Sequence, residues 1–206
     1  MTLSRRSLLT VPLVLAAAPA LAQGASPTNA DARLGDRGYG PAGAKVVVQE
    51  YFSLTCPHCA AFHKESWPQI KERLMGPTGN ARMVWKEFPL DQLALAASQV
   101  ARSLPAERYE GFISALLASQ DRWAFARGAD NIAEIAKIAA LAGMTRAQVD
   151  AAVADQALAK GILEMRAAGQ SQFNVNSTPT FVFNKKVQPG AVSADRFAQL
   201  AAEAGA

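Results

Sequence analysis

An α/β fold interrupted by an inserted all-helical subdomain is what this sequence predicts, and three observations predict it. A continuously apolar, β-branched run, Lys45–Phe52, leads into Cys56-Pro57-His58-Cys59 and then into an amphipathic run from Ala60 to Met75. A second, alternating run, Ala81–Phe88, follows a Gly-Pro turn. From Asp91 to about Gln172 the chain carries helix signals and no strand signal, before a short apolar strand, a hairpin and a last helix. A segment that long is not a loop.

The N-terminus reads as an address. Ser4-Arg5-Arg6-Ser7 is basic, Leu8–Ala18 apolar, and Ala20-Leu21-Ala22 supplies small residues for a signal peptidase, so residues 1–22 are expected to be a signal peptide cleaved before Gln23. A membrane-spanning helix is the alternative, disfavoured because the stretch is short and broken by Pro12 and Pro19. The arginine pair also resembles a twin-arginine export signal, which leaves the route open. Residues 23–44 read as a flexible lead with one short edge strand near Ala32–Leu34.

Lys45–Phe52 reads as a central strand that Glu50 interrupts. An acid there is either at a solvated strand end or buried behind the cysteines, where it could relay a proton to Cys59. In the following helix Phe62, Trp67, Ile70 and Leu74 recur at near-helical spacing, with Pro68 expected to kink it. His63, beside Lys64 and Glu65, is expected at the surface. Met83 and Trp85 face one way in the second strand and Val84 the other; two such strands flanking a helix would pair in parallel through a right-handed crossover.

In the helical segment, Asp91 caps a helix through Leu104 and Pro105 opens another to about Gln120. Asn131 with Glu134 resembles a capping box, Ile132, Ile135, Ile138 and Leu141 step on behind it, and Thr145 with Gln148 opens a further helix. A longer one spans Leu158–Phe173. Thr178-Pro179-Thr180 then introduces a Phe181–Phe183 strand, an Asn184-Lys185-Lys186 turn, a Val187–Gln188 partner and a final helix capped by Ser193. Proline opening a strand is tolerated at an edge or first position; spacing leaves a cis and a trans bond before Pro179 both open.

Cys56 and Cys59 are the chain's two cysteines. Only a thiolate attacks a disulfide, and Cys56 falls at a helix N-terminus, where unpaired N–H groups and the macrodipole favour an anion. Pro57 suits the first helical position, and a protonated His58 would add a nearby cation. A lowered pKa also makes Cys56 a good leaving group, while Cys59, one turn in, should be shielded and act as the resolving thiol. A structural staple is the weaker reading, since closing so short a loop contributes only roughly 2 kcal/mol. A zinc site of Cys56, Cys59 and His63 lacks the second ligand pair that structural zinc uses. Removing the signal takes the formal charge from +4 to +2 by loss of Arg5 and Arg6, too little and too dispersed to suggest nucleic acid or a membrane surface.

Glu50–Cys59, Lys86-Glu87-Phe88-Pro89-Leu90 and Thr178-Pro179-Thr180-Phe181 together resemble the DsbA-like thiol:disulfide oxidoreductases. The motifs cover roughly residues 45–90 and 172–200; between them the match is one of position and helical character. The resemblance implies a thioredoxin-like fold formed by 45–90 and 172–206, with residues 91–171 as the inserted helical subdomain. It implies that Cys56 is the nucleophile, Cys59 the resolving thiol, His58 a stabiliser of the reduced form and Glu50 a buried proton relay. Pro179 would be cis, with the Thr178 backbone pairing to an extended client. The redox-active disulfide would be the chain's own, with no cofactor and no metal. Partners would be unfolded exported proteins with free cysteines and a membrane-bound, quinone-linked oxidase of the DsbB type, in the periplasm.

Threonine at 178 departs from the oxidase pattern, where valine commonly precedes the cis-proline, and matches isomerases and reductases better. The short stretch between the cleavage site and the first core strand, against the sizeable N-terminal region usual in dimeric isomerases, favours the disulfide donor. A third reading is a thioredoxin-fold protein that grips extended peptides without turnover.

Overall fold

The structure is a computed structural model that describes residues 31–206; the expected signal peptide and cleavage site lie outside the described residues. A five-stranded mixed sheet forms the centre, in the order β1-β3-β2-β4-β5. β2 (Val46–Phe52) and β3 (Ala81–Glu87) pair in parallel, Val46 opposite Ala81 through Phe52 opposite Glu87, so the strand–helix–strand unit is as expected. β4 (Thr180–Phe183) lies antiparallel on the other side of β2, and β5 (Lys186–Pro189) closes that edge as a hairpin. Asn184 makes the turn possible: it adopts φ 54°, a region asparagine tolerates, and its Oδ1 accepts a hydrogen bond from the Val47 amide at 2.9 Å.

The opposite edge corrects the expectation for residues 23–44. Ala32–Leu34 is a single 3₁₀ turn, capped by the Asp31 carboxylate, and the edge strand is β1 (Arg37–Tyr39), antiparallel to β3. Its three residues include Gly38, where an added Cβ would meet the Met83 carbonyl at 2.5 Å. That glycine, not an apolar pattern, is what the pairing required.

The helix after the cysteines divides into α1 (Pro57–Glu65) and α2 (Trp67–Leu74), meeting at Ser66. Pro68 is the cause. It has no N–H to continue the ladder, and it occupies the first turn of α2, where none is needed. The inserted segment comprises α3 (Gln92–Arg102), α4 (Ala106–Ala118), α5 (Gln120–Trp123), α6 (Asn131–Leu141), α7 (Arg146–Ala154) and α8 (Gln156–Phe173), and α9 (Ala194–Gly205) follows the hairpin. Asp91 and Ser193 cap as expected. The capping box is Thr145 with Gln148; Asn131 is not a cap, because Asp130 accepts the Ala133 amide instead and the Asn131 amide donates to the Trp123 carbonyl. Pro105 is the residue before α4 rather than its first, and Leu141 is 90 % exposed, outside the stripe set by Ile135 and Ile138.

Alternation along the strands sorts the core. Val46, Val48 and Phe52 of β2, Met83 and Trp85 of β3, and Phe181 and Phe183 of β4 bury one face against Phe62, Trp67 and Phe197. The same cluster runs on through Tyr109, Ile113, Ile135 and Val149, so sheet and insertion share one core. On the other face Tyr51, Phe88, Val175 and Val182 form a smaller cluster. α8 lies close against it: a Cβ on Gly169 would meet the Tyr51 ring at 2.3 Å.

Candidate active site

Ser53–Cys56 is a tight turn between β2 and α1, with the Cys56 amide donating to the Ser53 carbonyl at 3.1 Å. Its geometry is set from outside. The Thr55 hydroxyl donates to Asp91 Oδ2 at 2.7 Å, while Asp91 Oδ1 caps α3. Gln120 of α5, itself buried, donates from Nε2 to the carbonyls of Leu54 at 2.7 Å and Cys56 at 3.1 Å. Two side chains that belong to the insertion thus fix the turn, Asp91 through the Thr55 hydroxyl and Gln120 through two carbonyls, and leave the amide N–H groups of α1 directed at the sulfur.

Cys56 is the residue before α1 and Pro57 the first within it, as expected. The Cys56 thiol is 4 % exposed and lies 3.3 Å from the Thr178 carbonyl, to which it donates when protonated. Its pKa is lowered to about 5, chiefly by a hydrogen bond from the Cys59 thiol. Burial opposes this, and the Thr178 hydroxyl and the amides of Cys59 and His58 reinforce it. Cys59 is fully buried, and burial together with the charge on Cys56 and on Glu50 pushes its thiol well above the ordinary value. The two sulfurs therefore differ sharply in acidity: the outer one ionises readily and the inner one holds its proton.

His58 is exposed, and its pull on Cys56 comes through the backbone N–H. The Thr178–Pro179 bond is cis and Pro179 is buried. The Thr178 Oγ1 is buried with no regular hydrogen-bond partner. Glu50 is fully buried and not at a solvated strand end. Its cross-strand neighbours are Trp85 and Phe181, and both carboxylate oxygens lie 3.1 Å from His63 Nε2.

His63 thereby overturns its expected surface position: it is 6 % exposed, among the rings of Phe52, Phe62 and Trp67. The signal was present, because His63 is four residues after the buried Cys59 and so shares its helix face. Neighbouring Lys64 and Glu65, both exposed, obscured it. Nothing local marks Gln120 or Asp91 as parts of the site, since their partners are tens of residues away. Among the described residues no group of three or more His, Cys, Asp and Glu side chains could hold a metal ion, and the imidazole that a zinc site would have needed is bonded to Glu50 instead.

A parallel β-α-β unit with Cys-x-x-Cys at the strand–helix junction and a cis-proline beside the sulfurs defines a thioredoxin-fold protein with an inserted helical subdomain. The sequence matches the family described as Thioredoxin over residues 33–201, and the chain belongs to that family. Among solved structures it is similar to Wolbachia pipientis alpha-DsbA1, with a TM-score of 0.75 and 25 % identity over 82 % of this chain and 90 % of that one. Bacillus subtilis BdbD, at 15 % identity, shares the fold, with a TM-score of 0.73 over 85 % of this chain and 95 % of that one. Among curated proteins, one of Rickettsia bellii named as a candidate protein-disulfide oxidoreductase is 37 % identical over 81 residues. That match covers 39 % of this chain and 31 % of the relative, so the chain spans about a third of the curated relatives it matches.

Proposed function

We propose that this chain is an exported thiol:disulfide oxidoreductase that gives its Cys56–Cys59 disulfide to other proteins. The acidity difference between the two sulfurs carries the reading: a pair that is comfortable as one thiolate and one thiol favours its own reduced form, and so oxidises others. A client thiolate attacks Cys56 Sγ, the Cys56–Cys59 bond breaks, and Cys59 leaves with the electron pair and takes up a proton. A second client thiolate then attacks the client sulfur of the mixed disulfide; a client disulfide forms and Cys56 departs as a stable thiolate. Glu50 is the relay that supplies or removes the Cys59 proton. The Thr178 backbone lines the client strand beside Pro179, and His58 and Pro57 shape the entry to the sulfur.

The clients are unfolded or partly folded exported proteins with free cysteines, in the periplasm. A membrane-bound quinone-linked oxidase of the DsbB type takes the two electrons and restores the bridge. Equilibration of the pair against glutathione buffers tests the direction: an oxidising potential supports the donor, and one near the reducing end of the thioredoxin range supports the isomerase or reductase that Thr178 favours. If Cys56→Ser kept the affinity for extended clients and lost nothing measurable, the chain would be a peptide-binding protein.

A further inference from the structure

Of the three consecutive carbonyls that end at Pro179, two are taken within the chain. The Ser177 carbonyl accepts the Thr180 hydroxyl at 2.8 Å, and the Pro179 carbonyl accepts the Gly190 amide at 2.8 Å. Between them, the Thr178 carbonyl has one donor among the described residues, and it is the reactive thiol itself: Cys56 Sγ lies 3.3 Å away. The hydroxyl of the same residue, Thr178 Oγ1, is buried with no regular partner. Thr178 therefore offers the sulfur an acceptor while it carries a proton and a donor once it has lost it.

The bond to the carbonyl depends on the chemical state of the sulfur. A protonated Cys56 donates; a thiolate or a disulfide sulfur has no hydrogen to give. An extended client that brings its own cysteine to Cys56 comes to the carbonyl from the sulfur side. Its backbone N–H therefore meets the lone pair that the thiol uses. Few charged groups bear on this exchange. On α1, His58 is exposed and Cys59 holds its proton. On β2, Glu50 is bonded to His63. Ahead of α3, Asp91 is occupied by Thr55 and the Ala94 amide. On α5, Asp121 and Arg122 are exposed, and residues 174–180 carry no titratable side chain.

We propose that the Thr178 carbonyl is a shared acceptor, held by the Cys56 S–H and released to the backbone N–H of an extended client when that hydrogen is gone. This rests on the oxidoreductase reading above and deepens it, because it makes docking and reactivity one event. The form that cannot react, the Cys56 thiol, closes the docking point; the disulfide and the thiolate open it. The coupling is reciprocal. A client that takes the carbonyl deprives the S–H of its acceptor, so the proton leaves for solvent and the Thr178 hydroxyl receives the thiolate. Docking on the reduced protein thus prepares Cys56 to attack, and in the oxidised protein the carbonyl stands open for the next client.

The probe is a blocked, uncharged, cysteine-free peptide of Thr, Val, Ser and Gln with a neutral fluorophore, and its affinity is read by anisotropy. Cys56→Ala has no hydrogen to donate, Cys56→Ser always has one, and neither side chain is charged. The serine variant is expected to bind the peptide about fivefold more weakly than the alanine variant, the worth of one hydrogen bond. In the unaltered protein the ratio of oxidised to reduced affinity is expected to rise about fivefold as pH falls from about 7 to about 4. That interval spans the Cys56 pKa of about 5, and Glu50, His63 and Asp91 are common to both forms and cancel from the ratio. By the same linkage, saturating peptide should move the thiolate absorbance of the reduced protein to lower pH by about 0.7. Equal affinity of the two variants, or a ratio that stays constant with pH, would overturn the shared acceptor, as would a peptide that binds none of these forms. The oxidoreductase reading is checked separately: slow alkylation of Cys56 at about pH 6 in the unaltered protein would sink it, whatever the peptide binds.

Discussion

At the scale of single residues the molecule is organised by the difference between two sulfurs, and that difference sets a pH dependence. Cys56 has a folded pKa of about 5, below the ordinary thiol value of about 8.5. Its stabilisation of the reduced protein is therefore complete above about pH 8.5 and is lost as pH falls through 5. Cys59 is shifted upward, so its contribution is complete below its unfolded value and is lost in alkali. In the oxidised protein neither group titrates. The stability of the reduced form relative to the oxidised one should thus rise by about 2 kcal/mol between pH 5 and pH 7. Denaturant melts of both forms at the two pH values measure it; a constant difference would mean the Cys56 anion is not favoured. Gln120 makes a second residue-level prediction. Gln120→Ala removes both donors that hold the Leu54 and Cys56 carbonyls, and leaving them buried and unpaired should lower stability by about 1–3 kcal/mol. The Cys56 pKa, followed by thiolate absorbance, should move up as the turn loosens. The placement of Cys56 at the start of α1 was legible because helix-start chemistry is local in sequence, whereas Gln120 acts across sixty-odd residues and carries no local mark.

At the scale of elements, the junction between the cysteine-bearing turn and the insertion is what sequence reading left blank. The strands and long helices were legible from their periodicity, and Asp91 was legible as a cap because N-capping is a local pattern. Its second oxygen, which accepts the Thr55 hydroxyl, was not. Likewise β1 was misplaced, because a three-residue edge strand built on Gly38 has no periodicity to detect. His63 was misread because two charged neighbours outweighed a single i, i+4 relation to Cys59. The two functions of Asp91 can be separated. Asp91→Ala loses cap and latch together and should cost about 1–3 kcal/mol. Asp91→Asn keeps an acceptor for the Ala94 amide but presents its NH2 toward Thr55, so most of the stability should remain while the alkylation rate of Cys56 at pH 6 falls. Equal loss of stability in both variants would show that Asp91 only caps.

At the scale of the whole molecule, the question is whether insertion and sheet behave as one body. Arg102 of α3 is fully buried and donates to both Glu87 oxygens, at 2.6 and 2.5 Å, and to the carbonyls of Arg33 and Gly35 ahead of β1. Tyr109 of α4 adds a third bond to Glu87 at 2.6 Å, and burial, reinforced by the charge of Glu87, drives the Tyr109 hydroxyl well above its ordinary pKa, keeping it a donor. One carboxylate at the end of β3 thus joins the sheet, two inserted helices and the entry segment. Glu87 lies inside the Lys86–Leu90 motif that resembles the DsbA-like proteins, and its task here is tertiary. Breaking the clamp from one side leaves Glu87 buried and uncompensated, so Arg102→Ala should cost about 3–5 kcal/mol. Tyr109→Phe, which removes one bond to a charged acceptor and no packing, should cost about 1.5–3 kcal/mol. Because the apolar core is continuous from β2 through Tyr109 to Val149, the weakened proteins should still unfold in a single transition. Far-ultraviolet circular dichroism and tryptophan fluorescence, which here reports Trp67 and Trp85 near the sheet and Trp123 in the insertion, should give coincident curves. Separate midpoints for the two probes would mean that the insertion folds independently, and that its hold on the cysteine-bearing turn through Asp91 and Gln120 can be released without unfolding the sheet.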